Sequence, residues 1–371
     1  MSSPLSRIPS GVQYIFDEEV RVRRWIEREL MRVFDGWSYS EIILPMFDYA
    51  DLFALGMGKE HAEKTYRFTG RDGKLLALRP EMTSLVARTV AARFRERPRP
   101  IRLSYSGEVF RWDQPRTGRQ YEFHQTGLEL IGSDRLEADS EVLVVAIEAL
   151  RRIGLEGFTI TLSHVDFFNG IVDRLELDPD QRVSLQEMID RKQTDQLNSL
   201  LEPRLDQESR EAFCRLTALA GGGTVLAEAR ALVSNAKSAA ALDDIERVYQ
   251  IAEALGIAAF VDIDLGDVGG LDYYTGLIFK IYAKGLGSAL GRGGRYDRLL
   301  SKFGAAEPAV GFSLCLDWLA QLLPISVREA AARSDQGIRL SAGGNLVSAF
   351  KEANKLRSEG RKVEMSSDGE R

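Results

Sequence analysis

Cysteine is nearly missing from these 371 residues. Cys214 and Cys315 stand far apart, outside any CxxC or Cys/His pattern, so neither a disulfide framework nor a structural zinc site is expected, and a reducing, cytoplasmic setting is. Histidine is as scarce: His61, His124 and His164 fall in no HExxH or carboxylate-paired spacing, which argues against a metal centre. No stretch reaches the roughly 20 apolar residues of a membrane span, and the opening MSSPLSRIPSGVQYIF lacks the apolar run of a secretory leader. Positive charge is not in excess either. Lys and Arg total 49 against 55 Asp and Glu, a net charge of −6 that gives no general attraction to a phosphate backbone. No GxSxG or other nucleophile signature occurs, so covalent catalysis has no support. What is present, 44% hydrophobic and 28% charged residues, describes a globular chain able to bury a large core over two or three domains.

Residues 17–34 place Val20, Trp25, Ile26, Leu30, Val33 and Phe34 at helical spacing between charges, predicting an amphipathic helix closed near Gly36. EIILPMFDYADLF alternates, and Pro45 removes a ladder donor, which predicts an edge strand or a strand end able to face a partner subunit. TYRFTGRDGKLLAL reads as strands about an Asp72-Gly73 turn, followed by a helix from about Pro80. IRLSYSGEVFR and QYEFHQTGLELIG then form an antiparallel hairpin around a polar loop at 113–118. A helix is expected over 137–153, and a strand at FTITLSHV. Nearly every segment from about 166 to 256 is helical, a subdomain inserted between strand-rich halves. Strands return in FVDIDLGD, GLIFKIYA and LGSALGRGGRYD, and AVGFSLCLDWLAQLL reads as a strand running into a core helix. Residues 325–336 are polar and are expected to be a linker. The tail, 337–371, has strand–helix–strand periodicity and is too short for a self-sufficient domain.

The informative polar residues are Glu81 in LRPEMT, Gln125 and Glu129 in HQTGLE, and Asp272, Tyr273 and Tyr274 in GLDYYTG. Gln125 and Glu129 are an even number apart, so on a strand both project from one face. Carboxylates, an amide and a phenol converging there suit a small cation, with an amino group and an imidazole as natural guests. His124, next to Gln125, is expected on the opposite face as a structural residue. Arg111 and Arg119 flank the hairpin loop, where guanidinium forks can clamp phosphate or carboxylate. GLGSALGRGGRYD lacks the Lys-Ser/Thr of a P-loop and reads better as tight strand turning. Arg88, Arg93, Arg95, Arg97, Arg99 and Arg102, interrupted by Glu96, read as a solvated helix end.

Taken together, LALRPEMTSLVAR, YSGEVFRWDQPRTGRQYEFHQTGLELIG, GLDYYTGLIF, GRGGRYDRLL and PAVGFSLCLDWLAQLL resemble the catalytic core of histidyl-tRNA synthetase over residues 9–323. The resemblance implies an α+β, class II aminoacyl-tRNA synthetase-like fold. In it an antiparallel sheet flanked by helices spans residues 1–324, with the helical insertion at about 166–256 and a truncated C-terminal α/β element after the linker. It further implies that Glu81, Thr83 and Gln125 hold a histidine amino group, that Glu129 and Tyr274 grip the imidazole with Tyr273 beside them, and that Arg111 matches the arginine that holds the carboxylate and phosphate at the reaction centre.

The chain departs from the synthetase at three places. The arginine expected before Gly-Leu-Asp-Tyr-Tyr is Gly269, the arginine that faces the ATP triphosphate is Trp318, and the anticodon-binding domain is reduced to the tail. Adenylation depends on cations placed where phosphate charge develops, so losing two is expected to silence it. A histidine pocket without that chemistry resembles the synthetase-like regulatory subunits of ATP phosphoribosyltransferase. Membership would imply no catalysis and no cofactor, pairing with a short catalytic subunit in the first step of histidine biosynthesis, and histidine as feedback effector. It would also imply a homodimer within a larger hetero-oligomer, with no tRNA, DNA or membrane partner. The competing expectations are an active, shortened synthetase in which Arg292 or Arg295 supplies the missing charge, and a histidine sensor for a different partner.

Overall fold

A computed structural model of the chain describes residues 8–9, 11–58, 62–112, 121–267, 273–333, 337–341 and 345–366. Its first helix, α1 (Asp17–Gly36), buries Val22, Ile26, Leu30, Val33 and Phe34 along one stripe, as the spacing requires. β1 (Ser40–Glu41) follows as a two-residue edge strand. β2 (Phe47–Tyr49) comes next, then α2 (Ala50–Met57), β3 (Arg67–Thr69), β4 (Leu75–Leu78) and α3 (Thr83–Arg93). The hairpin β5 (Ile101–Phe110) and β6 (Glu122–Ile131) leads to α4 (Leu136–Arg152) and β7 (Phe158–His164).

The expected helical insertion contains α5 (Val165–Val172), α6 (Pro179–Asp190), α7 (Thr194–Leu201), α8 (Gln207–Ala218), the short β8 (Ala220–Gly221), α9 (Thr224–Leu232) and α10 (Ala236–Ala254). It has its own apolar cluster around Phe167, Phe213, Leu242 and Ile245. β9 (Val261–Asp264), β10 (Leu277–Ala283), β11 (Gly291–Arg295) and β12 (Ala309–Cys315) return to the sheet. α11 (Leu316–Leu322), α12 (Ile325–Arg333), β13 (Ile338–Ser341), α13 (Leu346–Ser358) and β14 (Val363–Ser366) complete the order.

Nine strands form the central sheet in the order β1-β5-β6-β12-β11-β10-β7-β9-β8. All neighbours are antiparallel except β1 with β5 and β7 with β9. One face is covered by α1, α4 and α11. Phe34 of α1 meets Phe312 of β12 edge-on at 5.8 Å, and α4 contributes an almost wholly buried stripe. Arg152 of α4 and Arg32 of α1 both bond the buried Glu29 carboxylate, at 2.7 and 2.8 Å, which locks the two helices together. The other face carries α2, α3 and a second cluster that includes Tyr105, Tyr273 and Tyr296.

The Pro45 segment holds an edge strand, β1, which ends before Pro45, but the alternation does not continue as one strand: β2 joins a separate three-stranded sheet ordered β2-β4-β3. Its ADLF end is the first turn of α2, because Leu52, Phe53 and Met57 recur at helical spacing and are buried. Nor are residues 325–333 an extended linker. They form α12, and Ala331 and Ala332, too small to stand out in a polar stretch, are buried in the main core beside α1. Half of the basic run is paired, Arg88 with Asp48, Arg99 with Glu307 and Arg102 with Glu141, while Arg93, Arg95 and Arg97 are exposed at and beyond the end of α3. The expected loop at 113–118, together with Arg119 and His61, lies outside the described residues. The tail's strand–helix–strand pattern is present, with β13 and β14 parallel.

Overpacking tests the seat of α12. Ala332→Phe should lower stability by about 1–3 kcal/mol in urea unfolding, whereas Ala330→Phe on the exposed face of the same helix should stay within about 0.5 kcal/mol of wild type. Equal, small effects at both positions would contradict a packed helix.

Candidate functional site

Strand register builds the site. Opposite residues on antiparallel strands share a face. Gly127 pairs with Tyr105 on one side and Ser313 on the other, and Glu129 pairs with Gly311, which pairs in turn with Gly294. Gly311 clears a floor beside the Glu129 side chain, and Gly127 leaves room for the Tyr105 hydroxyl. The clearance is obligatory at Gly311, where an added Cβ would lie 1.8 Å from Glu129 Oε2. Above this floor is a cavity of about 320 Å³. All the described candidates line it: Glu81, Thr83, Arg111, Gln125, Glu129, Tyr273, Tyr274 and Trp318. Gly269 and Asp272 lie outside the described residues.

Glu129 is 1% exposed. Tyr105 donates its hydroxyl to Oε1 at 3.1 Å, and Tyr296 donates to Oε2. Burial outweighs these donors and pushes the carboxyl up to about 8. Glu81 sits at the start of α3 and accepts the Ser84 backbone N–H with both oxygens, at 3.0 and 3.1 Å, while burial raises its pKa also. Gln125 donates Nε2–H to Ser313 Oγ at 2.9 Å. Its Oε1 is buried with no hydrogen-bond partner, an acceptor that costs about 1–3 kcal/mol unless a donor enters the cavity. The Tyr273 ring packs edge-on against Tyr274 at 4.9 Å and Tyr296 at 5.6 Å, forming an aromatic wall.

Arg111 and Arg292 add positive charge to the cavity wall. Arg111, at the end of β5, donates Nε–H to the Pro80 carbonyl at 2.7 Å and lies over the Phe123 ring. Burial, followed by the Arg292 charge, lowers its pKa. Arg292 lines the cavity, but Arg295 does not serve as the substitute cation: Asp139, the Ser133 and Arg135 carbonyls and Asp297 hold it in place. Trp318 sits at the start of α11 with its ring partly buried against the core. Among the described residues no group of three or more His, Cys, Asp or Glu is placed to hold a metal ion, and no helix is long and apolar enough to cross a membrane.

His124 faces the other side of β6, as its position next to Gln125 dictates. Its Nε2 lies 2.7 Å from Ser106 Oγ, with Glu108 at 3.3 Å and Glu27 at 3.5 Å from the ring nitrogens. Sequence reasoning missed Tyr105 and Tyr296, the two donors to Glu129. The signal for Tyr105 was available in the hairpin, since it stands opposite Gly127, midway between Gln125 and Glu129. Tyr296 follows the end of β11 and carried no comparable signal.

This sheet, with a binding cavity over its central strands and helices behind, is a class II aminoacyl-tRNA synthetase-like fold. The family model for histidyl-tRNA synthetase matches residues 11–319. An ATP phosphoribosyltransferase regulatory subunit from Moorella thermoacetica is 38% identical over 98% of this chain and 92% of its own. One from Thermoanaerobacter sp. is 36% identical over 97% and 94%. A crystal structure described as an ATP phosphoribosyltransferase regulatory subunit/histidyl-tRNA synthetase from Bacillus halodurans superposes with a TM-score of 0.87 at 29% identity, covering 99% of this chain and 94% of that one. The chain belongs to the histidyl-tRNA synthetase family, among its ATP phosphoribosyltransferase regulatory subunits.

The raised Glu129 pKa has a definite sign in stability. Folded Glu129 keeps its proton to about pH 8, whereas an unfolded glutamate releases it near 4.5. The folded state thus binds more protons between those values. This residue's contribution is full below about 4.5 and is lost as pH rises through 8, at a slope of up to about 1.4 kcal/mol per pH unit. Glu129→Gln removes the titration. Wild-type stability minus variant stability, from urea unfolding, should therefore fall between about pH 5 and pH 8.5. A flat difference would show that Glu129 is already ionised in the fold.

Proposed function

We propose that this chain is the non-catalytic partner of a short ATP phosphoribosyltransferase catalytic subunit, required for its activity in the first step of histidine biosynthesis, and that its synthetase-like cavity binds histidine as the feedback effector. The observation that carries the reading is the polarity of the cavity. Buried acceptors from Glu81, Glu129 and Gln125 line it together with the guanidinium of Arg111, which is held at the Pro80 carbonyl beside Glu81. A histidine zwitterion satisfies both. Its imidazole meets Glu129 beside Tyr273 and Tyr274, its amino group meets Glu81, Thr83 and the unpartnered Gln125 Oε1, and its carboxylate meets Arg111.

Catalysis needs more than binding, because adenylation requires cations where phosphate charge develops. Trp318 cannot supply one, and neither can Gly269. Inhibition then follows from linkage: histidine can restrain the complex only by binding its inactive arrangement better than its active one. Self-association within the hetero-oligomer is supported by exposed apolar side chains around Pro45, with Ile43 90% exposed and Met46 and Phe47 about half exposed. The reading requires no cofactor, tRNA, DNA or membrane. Arg292 on the cavity wall favours one second reading, an active synthetase with a relocated cation.

Calorimetry of the full chain with histidine, and ATP as a separate titrant, tests the proposal. Histidine should bind, Glu129→Ala should weaken it roughly 10- to 100-fold, and ATP should give no response. Steady histidine-dependent pyrophosphate exchange would overturn the non-catalytic reading. No histidine binding would overturn the pocket assignment and leave the chain as an obligate activator with the effector site elsewhere in the complex.

A further inference from the structure

The register of β11 fixes where Arg292 points. Arg292 pairs with Ser313 of β12 and Lys280 of β10, so its side chain leaves the same face of the sheet as Ser313. Ser313 accepts from Gln125 in the cavity wall, so that face is the cavity's. The contrast with Arg295, three residues further on, is informative. Arg295 is buried and its guanidinium is occupied by Asp139, Asp297 and two backbone carbonyls. Arg292 is exposed and, among the described residues, makes no hydrogen bond or ion pair.

Its charge is nevertheless felt in the cavity, where it opposes the positive form of Arg111 and favours the ionised form of Tyr274. Two guanidinium groups facing one cavity repel each other, and an anion placed between them turns that repulsion into two attractions. Glu81 acts on the Arg111 charge, and the Glu129 carboxyl, held by two tyrosines, keeps its proton to about pH 8, so among the described residues no carboxylate is bonded to Arg292.

We propose that Arg292 is the specificity-determining residue of the cavity, pairing with Arg111 to select a ligand with a free carboxylate over the corresponding amino alcohol. The inference rests on the histidine-binding reading and deepens it. The pocket distinguishes the α-amino acid from an amino alcohol that carries the same imidazole and amino group. Glu129 and Glu81 recognise features common to both molecules. Only the two guanidinium groups read the difference.

The test is calorimetry of the full chain with L-histidine and L-histidinol, using wild type, Arg292→Ala, Arg292→Lys and Glu129→Ala. Because Arg292 is solvent-exposed, the expected loss is at the low end for a charge-assisted contact, about tenfold in histidine affinity for Arg292→Ala. Histidinol affinity should change less than about twofold, so the preference ratio contracts. Arg292→Lys should restore part of the ratio, and added salt should weaken histidine binding more in wild type than in Arg292→Ala. Equal losses for both ligands, or an unchanged ratio, overturn the proposal. Histidine binding that Glu129→Ala abolishes and Arg292→Ala leaves intact overturns the role of Arg292 alone. Absence of histidine binding to wild type overturns the pocket reading and this proposal with it.

Discussion

A carboxyl group kept dry on the central strands sets the terms for everything around it. Glu129 is enclosed between β5 and β12, and a buried carboxylate is tolerated only where hydrogen bonds replace water. The replacement comes from two tyrosines on different strand segments, Tyr105 within β5 and Tyr296 just beyond β11. To admit the side chain at all, the facing residue on β12 must be glycine, because a methyl group at Gly311 would occupy the carboxylate's place. The glycines of GRGGRYD follow from the same need for clearance. They bring β11 flat against β12 and leave the sheet surface open. A stretch that resembles a phosphate loop in composition is here the floor of a cavity.

The reverse face of the sheet is wired with charge where α1 crosses it. His124 sits between Glu27 of α1 and Glu108 of β5. Burial opposes its charged form, but the two carboxylates outweigh that and raise its pKa, while both carboxyls are held down to about 2, chiefly by their hydrogen bonds to the same imidazole. Arg23 of α1 pairs with the buried Asp317, which also accepts the His124 backbone N–H at 2.6 Å. Asp317 lines the cavity next to Trp318. One residue thus belongs both to the seat of α1 and to the wall of the pocket, so the position of α1 and the shape of the pocket are set together by direct contact.

How far the sequence discloses this depends on the length of the pattern being read. α1, the β5–β6 hairpin, α4 and the β12–α11 run are long and strongly periodic, and each lies where its periodicity puts it. The same parity argument correctly separates Gln125 and Glu129 from His124. The failures are short elements whose fate is decided by tertiary contacts. Eight residues of α2 hide behind an alternating strand pattern and Pro45, and α12 turns on two buried alanines in a stretch that reads as polar. Arg292 and Arg295 look interchangeable in the motif. What separates them is Asp139 on a helix more than 150 residues away in the chain, which no local pattern discloses.

Under the proposed reading, the chemistry lost and the chemistry kept fall on different sides of one distinction. Binding a small zwitterion requires groups complementary to its ground state, and the acceptors and cations lining the cavity are of that kind. Activating it requires additional positive charge where a phosphate transition state develops, and such groups contribute little to holding the amino acid itself. A synthetase-like fold can therefore give up Trp318's predecessor in the motif without giving up its pocket. Under the proposed reading, control of a partner needs nothing more. Each tenfold difference in histidine affinity between two arrangements of the complex moves their ratio tenfold, about 1.4 kcal/mol. The sheet supplies a rigid place from which that difference can be felt, since Glu129 and Gln125 lie on the strand whose reverse side, through His124, seats α1.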